Sequence, residues 1–85
     1  MNWDLVLGDD AKKQLSRIPK DEAFRIGGAI EEIIVDPYFG DIQKIKGKKE
    51  IWRRRVGSYR IFYELYKTRR IIYVFEIERR TSKTY

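Results

Sequence analysis

The chain begins with an alternation of apolar and polar residues that is typical of a half-buried β-strand. Trp3, Leu5 and Leu7 occupy every second position, so they share one face of a predicted strand over residues 3–7. The alternation ends at Gly8, where we expect the strand to stop.

The spacing of apolar residues then changes to that of a helix. These residues recur at intervals of four and three: Ala11, Leu15 and Ile18. Asp9 or Asp10 offers an N-cap, and Pro19 ends the segment. The pattern predicts a first helix of about two to three turns.

A second helix is predicted from near Asp21 to Asp36-Pro37, because the residue before a proline disfavours helical geometry. Its expected apolar stripe is Phe24, Gly27 or Gly28, Ile30, Ile33 and Ile34. Glycine costs stability inside a helix, so we interpret the Gly27-Gly28 pair as a place where this helix approaches the sheet closely. The two predicted helices form an αα hairpin.

The second half of the chain has a β pattern. Residues 38–50 predict a loop with a marginal strand near Ile45, and residues 51–66 predict two strands on either side of Gly57-Ser58. After a turn around residues 67–69, residues 71–77 are apolar on both faces except at Glu76, which indicates a strand inside the sheet.

The element order is therefore β-α-α-β-β-β. It predicts an α+β fold in which an N-terminal strand and an αα hairpin pack on a mainly antiparallel sheet of about four strands. We find no repeat, linker or low-complexity segment, so residues 1–85 are expected to form a single domain.

Strand alternation also predicts which residues face away from the helices. Tyr59, Ile61, Tyr63 and Leu65 share the face that suits the core, opposite Arg60 and Phe62. On the preceding strand Arg53 and Arg55 share a face, opposite Trp52, Arg54 and Val56. We therefore expect Arg53, Arg55 and Arg60 to cluster on the open face, with Arg79, Arg80 and Tyr85 delivered from the C-terminal end.

Charge is distributed unevenly along the chain. Residues 1–40 contain five Lys/Arg and eight Asp/Glu, whereas residues 41–85 contain fourteen and five, within a net charge of +6. This asymmetry favours a polyanion or an acidic protein as partner, and the alternative is a basic face that only interacts with solvent. No apolar run has the length of a membrane span, and no signal peptide is evident, so we expect a cytoplasmic protein without a membrane partner.

The residue types present limit the chemistry. The chain has no cysteine and no histidine, which excludes thiolate nucleophiles, cysteine or histidine metal ligands and an imidazole base, and we expect no cofactor and no metal. Guanidinium groups bind phosphate oxygens bidentately and stack on unpaired bases, so single-stranded RNA fits the predicted cluster. Cleaving RNA without a metal would also require activation of the 2′-hydroxyl, for which arginine is poorly suited.

The sequence resembles a known family over almost its whole length. The matching pieces are LSRIP, the helix end VDP, then KIKG, WRRRVGSYRIFY and IERRTSKTY, and they resemble the RelE/ParE superfamily of type II toxins. The resemblance to RelE implies a ribosome-dependent mRNA endonuclease that cuts in the decoding site, inhibits translation and is neutralised by a cognate antitoxin. The implied partners are that antitoxin, the ribosome and mRNA.

The resemblance also implies roles for individual residues. Arg55 and Arg60 correspond to groups that bind the phosphate and stabilise transition-state charge, Arg79 to one that protonates or stabilises the leaving oxygen, and Tyr85 to a base-stacking group. Arg53 corresponds to a position at which RelE has a lysine proposed as general base. Other basic residues around this site are expected to contact RNA: Lys44, Lys46, Lys48, Lys49, Arg54, Arg80 and Lys83.

Departures from the family pattern leave alternatives open. Because Arg53 replaces a lysine, the general base could instead be Glu50, Lys49 or Tyr85, or positioning and charge stabilisation could carry most of the rate. Arg54 lies where relatives are apolar, so its stem is expected along the core edge with its head in solvent. The ParE branch shares the fold but poisons DNA gyrase, and a third alternative is an inactive module that only binds RNA or antitoxin.

Overall fold

A computed structural model describes residues 2–45, 47 and 50–80 of the chain. Its elements follow the order β-α-α-β-β-β-β, with one strand more than predicted. They are β1 (Asp4–Leu7), α1 (Asp9–Ser16), α2 (Lys20–Val35), β2 (Ile42–Lys44), β3 (Ile51–Val56), β4 (Tyr59–Tyr66) and β5 (Ile71–Arg79).

The strands form one five-stranded sheet in the order β1-β5-β4-β3-β2. β1 runs parallel to β5, and every other neighbouring pair is antiparallel. The predicted α+β class is confirmed. The sheet has five strands rather than about four, because the marginal strand predicted near Ile45 forms as β2, which ends at Lys44. β5 lies between two strands, as its apolar residues on both faces predicted.

The core lies between the helices and one face of the sheet. The four β4 residues predicted to face it are all buried: Tyr59, Ile61, Tyr63 and Leu65. From the other strands it takes Ile72, Val74 and Ile77, and from the helices Ala11, Ile26, Ala29, Ile30 and Ile33. Burial raises the pKa of the Tyr63 hydroxyl, which donates a 2.6 Å hydrogen bond to the carbonyl of Pro37.

Two details of α1 differ from the prediction. Gly8, not Asp9 or Asp10, is the N-cap of α1, and the two aspartates lie in the first turn, where their charge complements the helix dipole. α1 also ends at Ser16, so Ile18 packs against the core from the connection between the helices.

The predicted apolar stripe of α2 is wrong at its beginning. Phe24 is 83% exposed, whereas Ile26 and Ala29, which the prediction omitted, are buried. The predicted close approach at Gly27-Gly28 is also wrong, because a Cβ at either position would meet none of the described atoms within 4 Å. The end of α2 before Asp36-Pro37 is confirmed.

Candidate nucleic-acid interface

The hairpin of β3 and β4 places three arginines on the sheet face that the helices leave open. Gly57 adopts a φ of +60° in the two-residue turn, a conformation that favours glycine. The resulting register pairs Arg55 directly with Arg60 and Arg53 with Phe62. Directly opposed residues share a face, and the neighbours of Arg60 and Phe62 along β4 are buried in the core. The predicted parity of Arg53, Arg55 and Arg60 is therefore confirmed.

Each of these arginines already has a polar partner. Arg53 donates a hydrogen bond to the Gln43 side chain on β2. The Arg55 Nε atom lies 3.2 Å from a carboxylate oxygen of Asp41. The Arg60 Nη2 atom lies 3.7 Å from a carboxylate oxygen of Glu78, its cross-strand neighbour on β5. We call Arg53, Arg55 and Arg60 the arginine cluster.

The partners change the electrostatics of this face. Asp41 and Glu78 are substantially exposed, so each ion pair is accessible to water and contributes little to stability. A phosphate can therefore replace the carboxylate in either ion pair at a small cost in free energy. The Nε atom of Arg60 is buried and has no hydrogen-bond acceptor among the described residues, so any ligand on this face would meet the terminal Nη atoms of Arg60.

Arg54 does not belong to the arginine cluster. It lies on the helix-covered face, where its Nη2 atom is 2.6 Å from a carboxylate oxygen of Glu32 on α2 and its Nη1 atom contacts the Phe39 carbonyl at 3.4 Å. Its side chain is only 11% exposed. The prediction that its guanidinium group lies in solvent is therefore wrong. This placement removes Arg54 from the residues expected to contact RNA.

Arg79 is also separated from the arginine cluster, and a β-bulge explains why. The register between β4 and β5 shifts at Phe62/Tyr63, which leaves Phe75 as an extra residue on β5. The shift turns Glu78 toward Arg60 and pairs Arg79 with the core residue Tyr59. Arg79 consequently lines a hollow beside α1 with Gln14 and Ile18.

Arg80 follows the last residue of β5 and lies at the hairpin end of the sheet. Its backbone N–H donates a 2.6 Å hydrogen bond to the Ser58 carbonyl in the hairpin turn, so the residue lies beside the arginine cluster, and it is exposed.

A family model described as the ParE toxin of the type II toxin–antitoxin system parDE matches residues 5–83. The chain belongs to the ParE toxin family. It is thus a type II toxin of the RelE/ParE superfamily, as the sequence resemblance implied.

Solved structures share the fold of this ParE-family toxin at low sequence identity. The archaeal RelE–RelB complex from Pyrococcus horikoshii matches with a TM-score of 0.85 and 20% identity, over 98% of this chain and 100% of that one. The toxin–antitoxin complex RelBE2 from Mycobacterium tuberculosis gives 0.82 and 13%, over 94% and 100%. The isolated Escherichia coli RelE toxin gives 0.83 and 13%, over 95% and 87%. No curated protein sequence matches. At these identities the structural likeness establishes the fold and leaves the activity open.

The candidate general base Glu50 is remote from the arginine cluster of the toxin. It precedes the first residue of β3, about 16 Å along the strand from Arg55. A hydrogen bond from the Trp52 indole, assisted by Lys67 and Lys44, lowers the pKa of Glu50. Glu50 is thus paired with Trp52, Lys44 and Lys67, and the carboxylate next to Arg60 is that of Glu78.

Several predicted site residues cannot be placed. Lys46, Lys48, Lys49, Lys83 and Tyr85 lie outside the described residues. Lys44 is described, and its Nζ atom lies 3.6 Å from a carboxylate oxygen of Glu50.

The open face also carries a row of aromatic rings, of which the sequence indicated only Phe62. The rings of Phe62 and Phe75 are 6.3 Å apart, and those of Phe75 and Tyr73 are also 6.3 Å apart. Beyond Tyr73 the row leads to a shallow hollow of about 400 Å³ lined by Val6, Tyr66, Arg69, Ile71 and Tyr73. Alternation along β5 places Tyr73 and Phe75 on one face, so it could have indicated both rings, and the bulge changes the alternation only after Phe75.

The described parts of the toxin hold no group of three or more histidine, cysteine or acidic side chains that could bind a metal ion. Within the same residues, no helix is long and apolar enough to cross a membrane.

Proposed function

We propose that this toxin is a ribosome-dependent, metal-independent mRNA endonuclease that inhibits translation and is neutralised by a cognate antitoxin. The observation that carries the proposal is the direct pairing of Arg55 with Arg60 on the open face of the sheet. Two guanidinium groups on adjacent rigid strands can bind one phosphate from two sides. The structures of RelE–RelB and RelBE2 complexes support an antitoxin as the partner of this fold.

In this mechanism Arg55 and Arg60 bind the scissile phosphate and stabilise the charge that develops on it. The phosphate displaces Asp41 from Arg55 and binds the terminal Nη atoms of Arg60, whose side chain is partly exposed. Donors that are already fixed on strands need little reorganisation when the transition state forms, which is the main requirement of electrostatic catalysis. Arg53 extends the same anion-binding surface along β3.

The proton acceptor in this mechanism is Glu78. Its carboxylate lies beside Arg60, and it is an acceptor when ionised, which arginine is not. The 2′-hydroxyl gives its proton to Glu78 as the 2′-oxygen bonds to phosphorus. The bond from phosphorus to the 5′-oxygen breaks, and that oxygen takes a proton from solvent. The products are a 2′,3′-cyclic phosphate and a 5′-hydroxyl end.

Substrate bases would be held beside this phosphate site. Phe62 and Phe75 offer rings for stacking on unpaired bases. Arg80, next to the hairpin turn, takes the position at the leaving group that the sequence assigned to Arg79. The role of Tyr85 in stacking stays a prediction.

The acidic partners explain why such an enzyme would need the ribosome. Asp41 and Glu78 cancel part of the charge of the arginine cluster, so the toxin alone attracts free RNA weakly. A ribosome that positions the mRNA would supply the binding that the toxin lacks.

The proposal is tested by the chemistry of the cut ends and by Glu78. Purified toxin should cut mRNA on programmed ribosomes, leave 2′,3′-cyclic phosphate and 5′-hydroxyl ends, and cut the same RNA poorly in free solution. Glu78→Gln should lower the single-turnover rate about 100-fold or more, the contribution expected of a general base. Glu76→Gln, a neighbouring carboxylate on β5, is the matched control and should cut normally. Equal rates for the two variants would remove Glu78 from the mechanism.

A second candidate function is inhibition of DNA gyrase, as in the ParE branch. The family match and the neutralisation of the arginine cluster by Asp41 and Glu78 both favour it. A DNA supercoiling assay separates the two functions: inhibition and accumulated cleavage complexes would support gyrase as target, and full supercoiling activity would exclude it.

A further inference from the structure

The shallow hollow at the far end of the aromatic row has no part in the mechanism proposed above. Residues of β1, β4, β5 and the turn between the last two strands line its volume of about 400 Å³: Val6, Tyr66, Arg69, Ile71 and Tyr73. The hollow lies on the same open face as the arginine cluster, because Tyr66 follows Arg60 by six positions on β4 and strand side chains alternate between faces. The two sites are therefore about 20 Å apart along the strand.

The aromatic row connects the arginine cluster to this hollow. Phe62, Phe75 and Tyr73 follow one another with ring centres 6.3 Å apart. Their planes are inclined by 57° and 31°, so neither pair of rings is stacked face to face, and all three side chains are half-buried. On an open β-sheet, aromatic rings of this kind stack on unpaired bases, commonly two or three bases at a time. The row therefore extends the phosphate site into a surface suited to a single strand of RNA.

Two tyrosines give the hollow the width of one base. The Tyr66 hydroxyl donates a 3.1 Å hydrogen bond to a carboxylate oxygen of Glu64, and the Tyr73 ring lies against Gly8, where a Cβ would be 2.7 Å from its hydroxyl oxygen. Because Glu64 pairs with Tyr73 in the sheet, Tyr66 and Tyr73 are diagonal neighbours about 7–8 Å apart. Stacked bases lie about 3.4 Å apart, so one base between two rings needs about 7 Å.

Arg69 supplies the charge of the hollow. It is exposed, and the other described lining residues are uncharged. Unlike the three arginines of the arginine cluster, Arg69 makes no hydrogen bond or ion pair with another described residue, so it can bind a phosphate without displacing a carboxylate. A second copy of the toxin would bring another Arg69 to this face, which disfavours self-association. A nucleotide matches the lining better, because it offers a phosphate to Arg69 and a planar base to the tyrosines.

We propose that the hollow is a second nucleotide subsite, which holds one base of single-stranded RNA between Tyr66 and Tyr73 and an adjoining phosphate on Arg69. The inference rests on the proposed function, because the strand in the hollow is the mRNA segment that flanks the phosphate at the arginine cluster. Bases between the two sites stack on Phe62 and Phe75. Stacking along this row adds affinity that does not depend on the arginines whose charge Asp41 and Glu78 partly cancel.

The test measures RNA binding without cleavage. A fluorescently labelled single strand of about eight 2′-O-methyl nucleotides, which has no free 2′-hydroxyl to attack the phosphate, is titrated with toxin at low salt and followed by anisotropy. Tyr66→Leu should weaken binding at least about fivefold, the effect of losing one stacked base.

Tyr38→Leu is the matched control for the lost ring. Tyr38 is 44% exposed and Tyr66 is 45% exposed, but the Tyr38 ring packs on Trp52, whose cross-strand neighbour Tyr63 lies in the core. The control therefore removes a similar ring from the helix-covered side of the sheet, and it should bind RNA within about twofold of wild type.

A second pair of variants covers a folding failure of Tyr66→Leu, which circular dichroism would reveal. Arg69→Gln should weaken binding about threefold or more and reduce its salt dependence, because one phosphate contact is lost. Arg17→Gln removes the same charge at the end of α1 and should change neither quantity.

Three results would overturn the subsite: no binding by wild type, wild-type affinity in both Tyr66→Leu and Arg69→Gln, or equal losses in Tyr66→Leu and Tyr38→Leu. A toxin dimer that Tyr66→Leu dissociates would assign the hollow to a second copy instead. The outcomes also separate the subsite from the proposed function. Toxin that cuts mRNA on ribosomes but binds RNA equally in all variants refutes the subsite alone, whereas toxin that binds RNA as expected without cutting refutes the endonuclease alone.

Discussion

The ion pair between Arg54 and Glu32 gives an asymmetric prediction about stability. Arg54 is almost fully buried, whereas the Glu32 side chain is 52% exposed. Removing the glutamate leaves a buried guanidinium, whose remaining hydrogen bond among the described residues is the long one of 3.4 Å to the Phe39 carbonyl. Removing the arginine leaves a carboxylate that water can reach. Glu32→Ala should therefore cost more stability than Arg54→Met.

The magnitudes follow from burial. Breaking a fully buried pair from one side costs about 3–5 kcal/mol, and partial exposure of Glu32 reduces the estimate for Glu32→Ala to about 2–3 kcal/mol. A loss of that size lowers the melting temperature of a domain this small by about 10–20 °C. Methionine replaces the Arg54 stem with an apolar one, so Arg54→Met should stay within about 1 kcal/mol of wild type.

Urea unfolding followed by fluorescence measures both variants, because Trp3 and Trp52 both pack with the core. The unfolding midpoint should fall clearly for Glu32→Ala and little for Arg54→Met, with similar slopes. An Arg54→Met variant less stable than Glu32→Ala, or a Glu32→Ala variant within about 0.5 kcal/mol of wild type, would refute the reasoning.

Three further outcomes can be measured in the same way. Gly40→Ala should lose about 1–3 kcal/mol, since its φ is +97° and a Cβ would lie 2.7 Å from the Arg54 guanidinium carbon; wild-type stability would contradict this. Gly28→Ala should gain about 0.5–1 kcal/mol, and a loss would show a close contact that the structure lacks. The pKa of Glu50 is lowered in the folded state, so its contribution to stability is present above the unfolded pKa of about 4.3 and is lost as pH falls through the folded pKa. The stability difference between wild type and Glu50→Gln should accordingly shrink below about pH 4, and a difference independent of pH would exclude the linkage.

Strand periodicity predicted the hairpin well. The alternation of β4 assigned Tyr59, Ile61 and Tyr63 to the core, and because a two-residue turn joins β3 to β4, it also set the pairing of Arg55 with Arg60. Both inferences depend on local geometry that neighbouring residues determine.

The wrong predictions concern residues whose positions depend on contacts with residues far away in the sequence. The bulge at Phe75 depends on how β5 fits against β4, and it exchanged Arg79 for Glu78 on the open face. Arg54 is buried because Glu32, 22 residues earlier, lies above it on α2. Phe24 has the spacing of a core residue, yet α2 is rotated so that Ile26 faces the sheet. A single sequence contains no local signal for these three outcomes.

Cleavage of mRNA on programmed ribosomes by wild type, Arg60→Ala and Arg54→Met tests the central claim most directly. The two variants remove the same charge from opposite faces of the sheet. If the open face is the catalytic site, Arg60→Ala should lower the rate at least about 100-fold, whereas Arg54→Met should cut within a few-fold of wild type. No cut by wild type, or equal rates for the two variants, would contradict the account.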